Sequence, residues 1–334
     1  MTDRPDTPLQ TLGDPPQHVR AHEELTAAEV AAQLTAPSAA ALLENLGITG
    51  EDHAELSALI PRAVEDREIL AAITRTANLL LSAAGLEAPT GELDALQKEH
   101  NTLQQRLAPG EGLIAILALA AGTSTVQAWH HERGLSSAQS WEVLADLGQQ
   151  MRVHRRSSGR LGLHQVGWME LNWRGRLVSL GRLQFDLHRV ERGTPQERWM
   201  IGTHIPATGP LDPAAVEESF DRATAYFTAR YADLVREHPA GAPPFGHEFH
   251  CHSWLVNPLL PEALGADSNL GGFAARWELV SHAQADDDAA FFVFGVRPPY
   301  DPAALPRTTR LERLVGERLA DGRGWQVGLG RLTR

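Results

Sequence analysis

His204 closes a run in which Trp199, Ile201, Thr203 and Ile205 alternate with Met200, Gly202 and His204. Such alternation predicts a largely buried strand, and an imidazole at its end can accept and release a proton near neutral pH. Beyond it comes Pro206-Ala207-Thr208-Gly209-Pro210-Leu211, then Asp212 as N-cap and Pro213 at the first position of a helix. Val216, Phe220, Ala223, Phe227 and Tyr231 give that helix one apolar stripe. Amides at a strand-to-helix turn attract anions, but here prolines remove donors and Asp212 competes for the helix terminus. Glu170, expected on an upstream strand, is a further base candidate, and Tyr226 is a candidate acid. Tyr231, in the apolar stripe, is better suited to packing.

The segment His247-Glu248-Phe249-His250-Cys251-His252 invites a metal reading. On a strand, however, His250 and His252 share one face and Cys251 lies on the other. Neither Cys-x-x-Cys nor His-Glu-x-x-His spacing is present, so no metal is expected. Either Cys251 or Ser253 faces a pocket on this strand, or Cys251 is a small core residue. Lys98, the only lysine, sits in a polar helical segment without a desolvating pocket, which argues against Schiff-base chemistry.

These residues need a mixed scaffold. Residues 1 to about 20 are rich in proline, aspartate and threonine and are expected to be disordered. To about residue 150 the patterns are helical: a Thr26/Glu29 capping box, a helix after Ser38 ending at Gly47, one long helix from Ile60 to Ala84, then Leu93–Leu107, Leu113–His131 with a possible break at Gly122–Ser124, and Ser137–Gln150. From Gly167 to Thr203 three strand-like runs predict an antiparallel meander. After the helix at 213–235 come strands at Phe249–Val256, Phe273–His282, Ala289–Val296 and Trp325–Leu332, with helices at Pro258–Leu264 and Thr308–Leu319. The order predicts an α+β fold on a mixed sheet, with a tail over 1–20, a helical domain over 21–157 and a second domain over 158–334.

The chain has 334 residues, 43% of them hydrophobic, enough for two cores. A net charge of -12 argues against nucleic acid or an anionic membrane as general partner. One cysteine permits no internal disulfide, and no secretory signal or membrane-length apolar run is evident, so a cytoplasmic protein is expected. The one basic excess, nine arginines against three acids from Arg152 to Arg192, fits either an anionic ligand or the acidic helical domain.

The runs WHHERGLSSAQSWEVLADLG, LVSLGRLQFDLHRV, THIPATGPLDPAAVEESF, CHSWLVNPLL, DSNLGGF and LPRTTRLERLVGERLADGRGWQVGLG resemble successive motifs of a two-domain acyltransferase family, with a helical N-terminal domain and a GNAT-like C-terminal domain. The resemblance implies transfer of an acyl group from acyl-CoA, such as acetyl-CoA, to a small-molecule amine, in a cleft between the 198–205 and 249–256 strands. It implies His204, Glu170 and Tyr226 as candidates for proton transfer. Ile205, Thr208, Gly209, Leu211, Ser219, Cys251, Ser253 and Asn269 are the candidates it implies for holding the cosubstrate. The usual Arg/Gln-x-x-Gly-x-Gly/Ala pyrophosphate segment is missing, so the ordinary phosphate grip is not expected. A GNAT-like module that only binds a small molecule or a protein is the alternative, and the oligomeric state stays open.

Overall fold

In a computed structural model, which describes residues 24–82, 84–85 and 92–334, nine helices lead into a six-stranded mixed sheet. The expected disordered tail lies outside the described residues. The helices are α1 (Ala27–Thr35), α2 (Ala39–Asn45), α3 (Gly50–Glu65), α4 (Arg67–Ser82), α5 (Glu92–Gln104), α6 (Leu113–Glu132), α7 (Ser137–Leu144), α8 (Asp146–Ser158) and α9 (Val166–Trp173). The predicted capping box opens α1, with Thr26 accepting from the Glu29 amide and Glu29 returning a bond to the Thr26 amide. α6 is apolar on every side and forms the middle of the first core. It is long and apolar enough to cross a membrane, but most of it is buried within the protein. It runs unbroken through Gly122–Ser124.

Two expected helices divide. Pro61 lies inside α3, and the break comes at Asp66, whose extended backbone ends α3 while its carboxylate accepts from the Glu68 and Ile69 amides (3.1 and 3.3 Å) at the start of α4. The 137–150 stretch breaks at Ala145 into α7 and α8.

The sheet comprises β1 (Val178–Ser179), β2 (Gln184–Val190), β3 (Arg198–His204), β4 (Glu248–Ser253), β5 (Glu278–Gln284) and β6 (Gln326–Thr333). Its order is β1-β2-β3-β4-β6-β5, with every neighbouring pair antiparallel except β3 and β4. Helices α10 (Pro213–Arg230), α11 (Leu259–Leu264), α12 (Asn269–Ala275), α13 (Asp286–Phe294) and α14 (Arg310–Ala320) complete the fold. Phe185 of β2, Phe249 of β4 and Phe220 of α10 meet edge to face at 5.0–6.1 Å and anchor the second core.

The meander exists, but Gly167–Trp173 is not its first strand. Val166, Met169 and Trp173 are buried at helical spacing, and the run folds as α9 within the first core. Likewise Ala289–Val296 is not a strand: Asp286, Asp287 and Asp288 occupy the first turn of α13, where carboxylates complement the helix terminus, and Gly295 ends it in the left-handed region (φ 69°). Phe273 belongs to α12, so the strand there begins only at Glu278.

Arg133, one residue beyond α6, joins the two layers. Its guanidinium lies over the rings of Trp129 and Tyr231 (4.9 and 4.5 Å), while Nη1 donates to the Arg230 carbonyl at 3.2 Å. This contact holds the end of α6 against the end of α10.

Candidate active site

β3 and β4 are in parallel register at only two pairs, Ile201↔Phe249 and Gly202↔His250. Beyond them the strands part. At their C-terminal ends lies a cavity of about 970 Å³, within the range of small-molecule sites. One wall is the face of α8 carrying Gln149, Gln150, Val153 and Arg156, together with Trp168 of α9. Another part of the lining is apolar, from Trp254, Leu255, Leu270, Phe291 and Phe292. Trp254 and Phe292 stack there at 6.2 Å, although Phe292 is 55% exposed, so this wall presents apolar surface that a ligand could cover.

His204 is half-buried at the polar end of the cavity. Its Nε2 donates to Asp186 Oδ1 at 2.7 Å, which leaves Nδ1 as the nitrogen with a free lone pair. The Trp168 ring meets the imidazole edge to face at 4.9 Å, and the Trp168 indole N–H donates to Asp146 Oδ2 at 2.7 Å. One carboxylate of each layer thus orients the imidazole, Asp186 directly and Asp146 through an indole.

Asp186 is almost wholly buried, opposite Gly202 in the β2–β3 register. A Cβ at Gly202 would stand 2.0 Å from Asp186 Oδ1, so the glycine makes the room through which the carboxylate reaches His204. Its Oδ2 faces His188 Nδ1 at 3.2 Å and Arg176 Nη2 at 3.4 Å. Burial pushes this carboxyl up, but hydrogen bonds from His188 and His204 outweigh it and hold the group far below the usual carboxylate range. A base whose partner stays ionised can carry a proton as imidazolium.

The other expected residues divide. Ile205, Gly209, Leu211, Ser253 and Asn269 line the cavity with His204. Thr208 is in the same turn, its amide donating to Pro206 O at 2.8 Å, but it is not part of the lining. Glu170 lies on α9 instead of a strand, buried, with Oε1 accepting from the Leu93 amide at 2.6 Å and Oε2 3.4 Å from Arg174. It is engaged in these contacts and is not part of the cavity lining. Tyr226 is buried in the second core and donates to Arg133 O at 3.3 Å, and burial raises its phenol well above the ordinary value. It therefore has no access to a leaving group in the cavity. Ser219 accepts from the Arg182 and Leu183 amides (2.7 and 3.3 Å) and donates to Ala215 O, tying α10 to the turn before β2. Cys251 is packed in the second core, where burial pushes its thiol far above the ordinary range. Among the described residues no group of three or more His, Cys, Asp or Glu could hold a metal.

Sequence reasoning did not single out Asp186, Trp168, Asp146 or the face of α8. The alternation in Gln184-Phe185-Asp186-Leu187-His188 carried the one available signal, a charged residue flanked by buried apolar ones.

Residues 37–175 match the N-acyltransferase N-terminal domain and residues 177–332 the GNAT-like C-terminal domain. The chain belongs to this two-domain N-acyltransferase family. Among solved structures it is similar to an acyltransferase in complex with decanoyl-CoA and teicoplanin, at 28% identity and TM-score 0.70, over 88% of this chain and 86% of that one. An acyltransferase mutant in complex with octanoyl-CoA, and an acyltransferase in complex with CoA and 10C-teicoplanin, are each 27% identical with the same TM-score and the same coverage. No curated protein sequence matches. In N-acyltransferase terms, the cavity is the gap between the two parallel strands of the GNAT-like sheet, closed on its open side by the N-terminal domain.

Proposed function

We propose that this protein transfers an acyl group from a coenzyme A thioester to an amine on a small-molecule acceptor, with His204 as general base. The observation that carries the reading is the His204–Asp186 pair at the polar end of a cavity whose other wall is aromatic and apolar. The acceptor nitrogen attacks the thioester carbonyl, the C–N bond forms and the C–S bond breaks. His204 Nδ1 takes the proton lost by nitrogen, and that proton, passed on to the departing thiolate through solvent, gives free coenzyme A and restores the neutral imidazole. The apolar wall suits an acyl chain of medium length, in line with the octanoyl and decanoyl thioesters held by related structures. Teicoplanin in those structures makes an amine borne on a bulky small molecule the natural acceptor class. The lone buried cysteine suits a cytoplasmic setting.

Thermal unfolding with octanoyl-CoA tests this reading. A ligand that binds only the folded state adds about 2.7 kcal/mol at a hundredfold excess over its dissociation constant, so the midpoint should rise, and adding amines should release free thiol. No rise with any acyl-CoA from acetyl to dodecanoyl would sink the proposal. A rise without thiol release from any amine would favour a binding module.

A further inference from the structure

Every amide at the start of α10 is already committed. Pro213 has no N–H, Asp212 Oδ1 accepts from Ala214 and Ala215 (3.0 and 3.1 Å), and Val216 donates to Asp212 O at 2.9 Å. The Asp212 carboxylate also places negative charge at the terminus, where the helix would otherwise attract an anion. The turn before it offers little more. Arg182 donates from Nε, Nη1 and Nη2 to the carbonyls of Pro210, Pro206 and Gly209 at 2.8–3.1 Å, so its fork is spent on holding the turn.

The cavity has one other arginine in its lining. Arg156, in the last turn of α8, is exposed at the edge and has no hydrogen-bond or ion-pair partner among the described residues. Its neighbours in sequence are engaged differently: Arg155 pairs with Asp52 and Glu55, and Arg152 donates to Gly47 O. A polyanionic ligand seated in this cavity meets a nearby helix terminus closed by Asp212 and one uncommitted guanidinium in the lining. Resting on the acyl-transfer reading above, we infer that Arg156 of the helical domain binds the phosphates of the coenzyme A thioester, in place of the α10 N-terminus. A guanidinium suits the task because its fork of donors matches phosphate oxygens.

Titrations of the tryptophan fluorescence with octanoyl-CoA and with octanoyl-pantetheine, which carries no phosphate, distinguish this from packing. The wild type should bind the coenzyme A thioester more tightly. Arg156→Ala should weaken octanoyl-CoA by about tenfold, the scale of one charge-assisted contact, and leave octanoyl-pantetheine unchanged. Arg156→Lys should recover much of the loss, and Arg160→Ala, an exposed arginine outside the cavity lining, should behave as wild type. Unchanged octanoyl-CoA affinity in Arg156→Ala, or equal losses for both thioesters, overturns the assignment alone. Failure of the wild type to bind octanoyl-CoA overturns the acyl-transfer reading with it.

Discussion

Replacing His204 by glutamine is expected to lower kcat by about 10² to 10⁴, the usual contribution of a positioned general base, while octanoyl-CoA still binds. The two effects separate because the imidazole is held by Asp186, whereas the apolar surface suited to the acyl chain comes from other residues, Trp254, Leu270, Phe291 and Phe292. Glutamine keeps a polar group near Asp186 but offers no nitrogen that can gain a proton at neutral pH. The residual rate should lose the ionisation of a single base from its kcat/KM profile. Turnover at the wild-type rate, or a loss of thioester binding equal to the loss of rate, would remove His204 from the chemistry.

Asp186→Asn is the second large effect, and it falls on stability as well as rate. The carboxylate is almost fully buried between His204, His188 and Arg176. Removing one partner from a buried ionic cluster costs about 3–5 kcal/mol, mostly because the remaining charge loses its counterpart. The pH dependence has a defined direction. The folded carboxyl titrates far below the unfolded one, whose pKa is about 3.9. Its stabilisation is therefore complete above that value and is lost as pH falls toward the folded value. Urea unfolding should show a gap between wild type and variant that is present above about pH 4 and narrows below it. Burial also pushes the imidazoles of His130 and His164 down to about 4, and since neither touches the Asp186 cluster they weaken both proteins alike on acidification. A gap independent of pH would contradict an ionised Asp186. At neutral pH the variant should also lose about 10² in kcat, since asparagine cannot stabilise the imidazolium.

The features legible in the sequence are those that depend on neighbours along the chain. Thr26 with Glu29, and Asp212 with Pro213, announce helix starts because a cap is satisfied within three residues. The strand ending at His204 shows through alternation, and the missing phosphate-binding glycines show by their absence. What stayed hidden depends on partners far along the chain. Asp186 gains its role only when β2 pairs with β3 and Gly202 leaves space opposite it. Glu170 seemed available only while its segment was read as a strand, and the helical spacing of Val166, Met169 and Trp173 turns it into the first core. The run from Ala289 to Val296 is too short and too uniformly apolar for period to separate helix from strand. Three preceding aspartates and a terminal glycine carried the better signal.

The two walls of the cavity are subject to different constraints on change. α8 turns Leu147, Met151 and His154 inward, while Gln149, Gln150, Val153 and Arg156 stand half-buried or exposed on its other side. Substitutions at such positions usually cost within about 0.5 kcal/mol, whereas those around Asp186 and Gly202 disturb a buried pair. Apart from Arg156, the helical wall can therefore vary by small mutational steps while the buried contacts around Asp186 and Gly202 are kept, which makes the helical domain the evolvable half of the molecule.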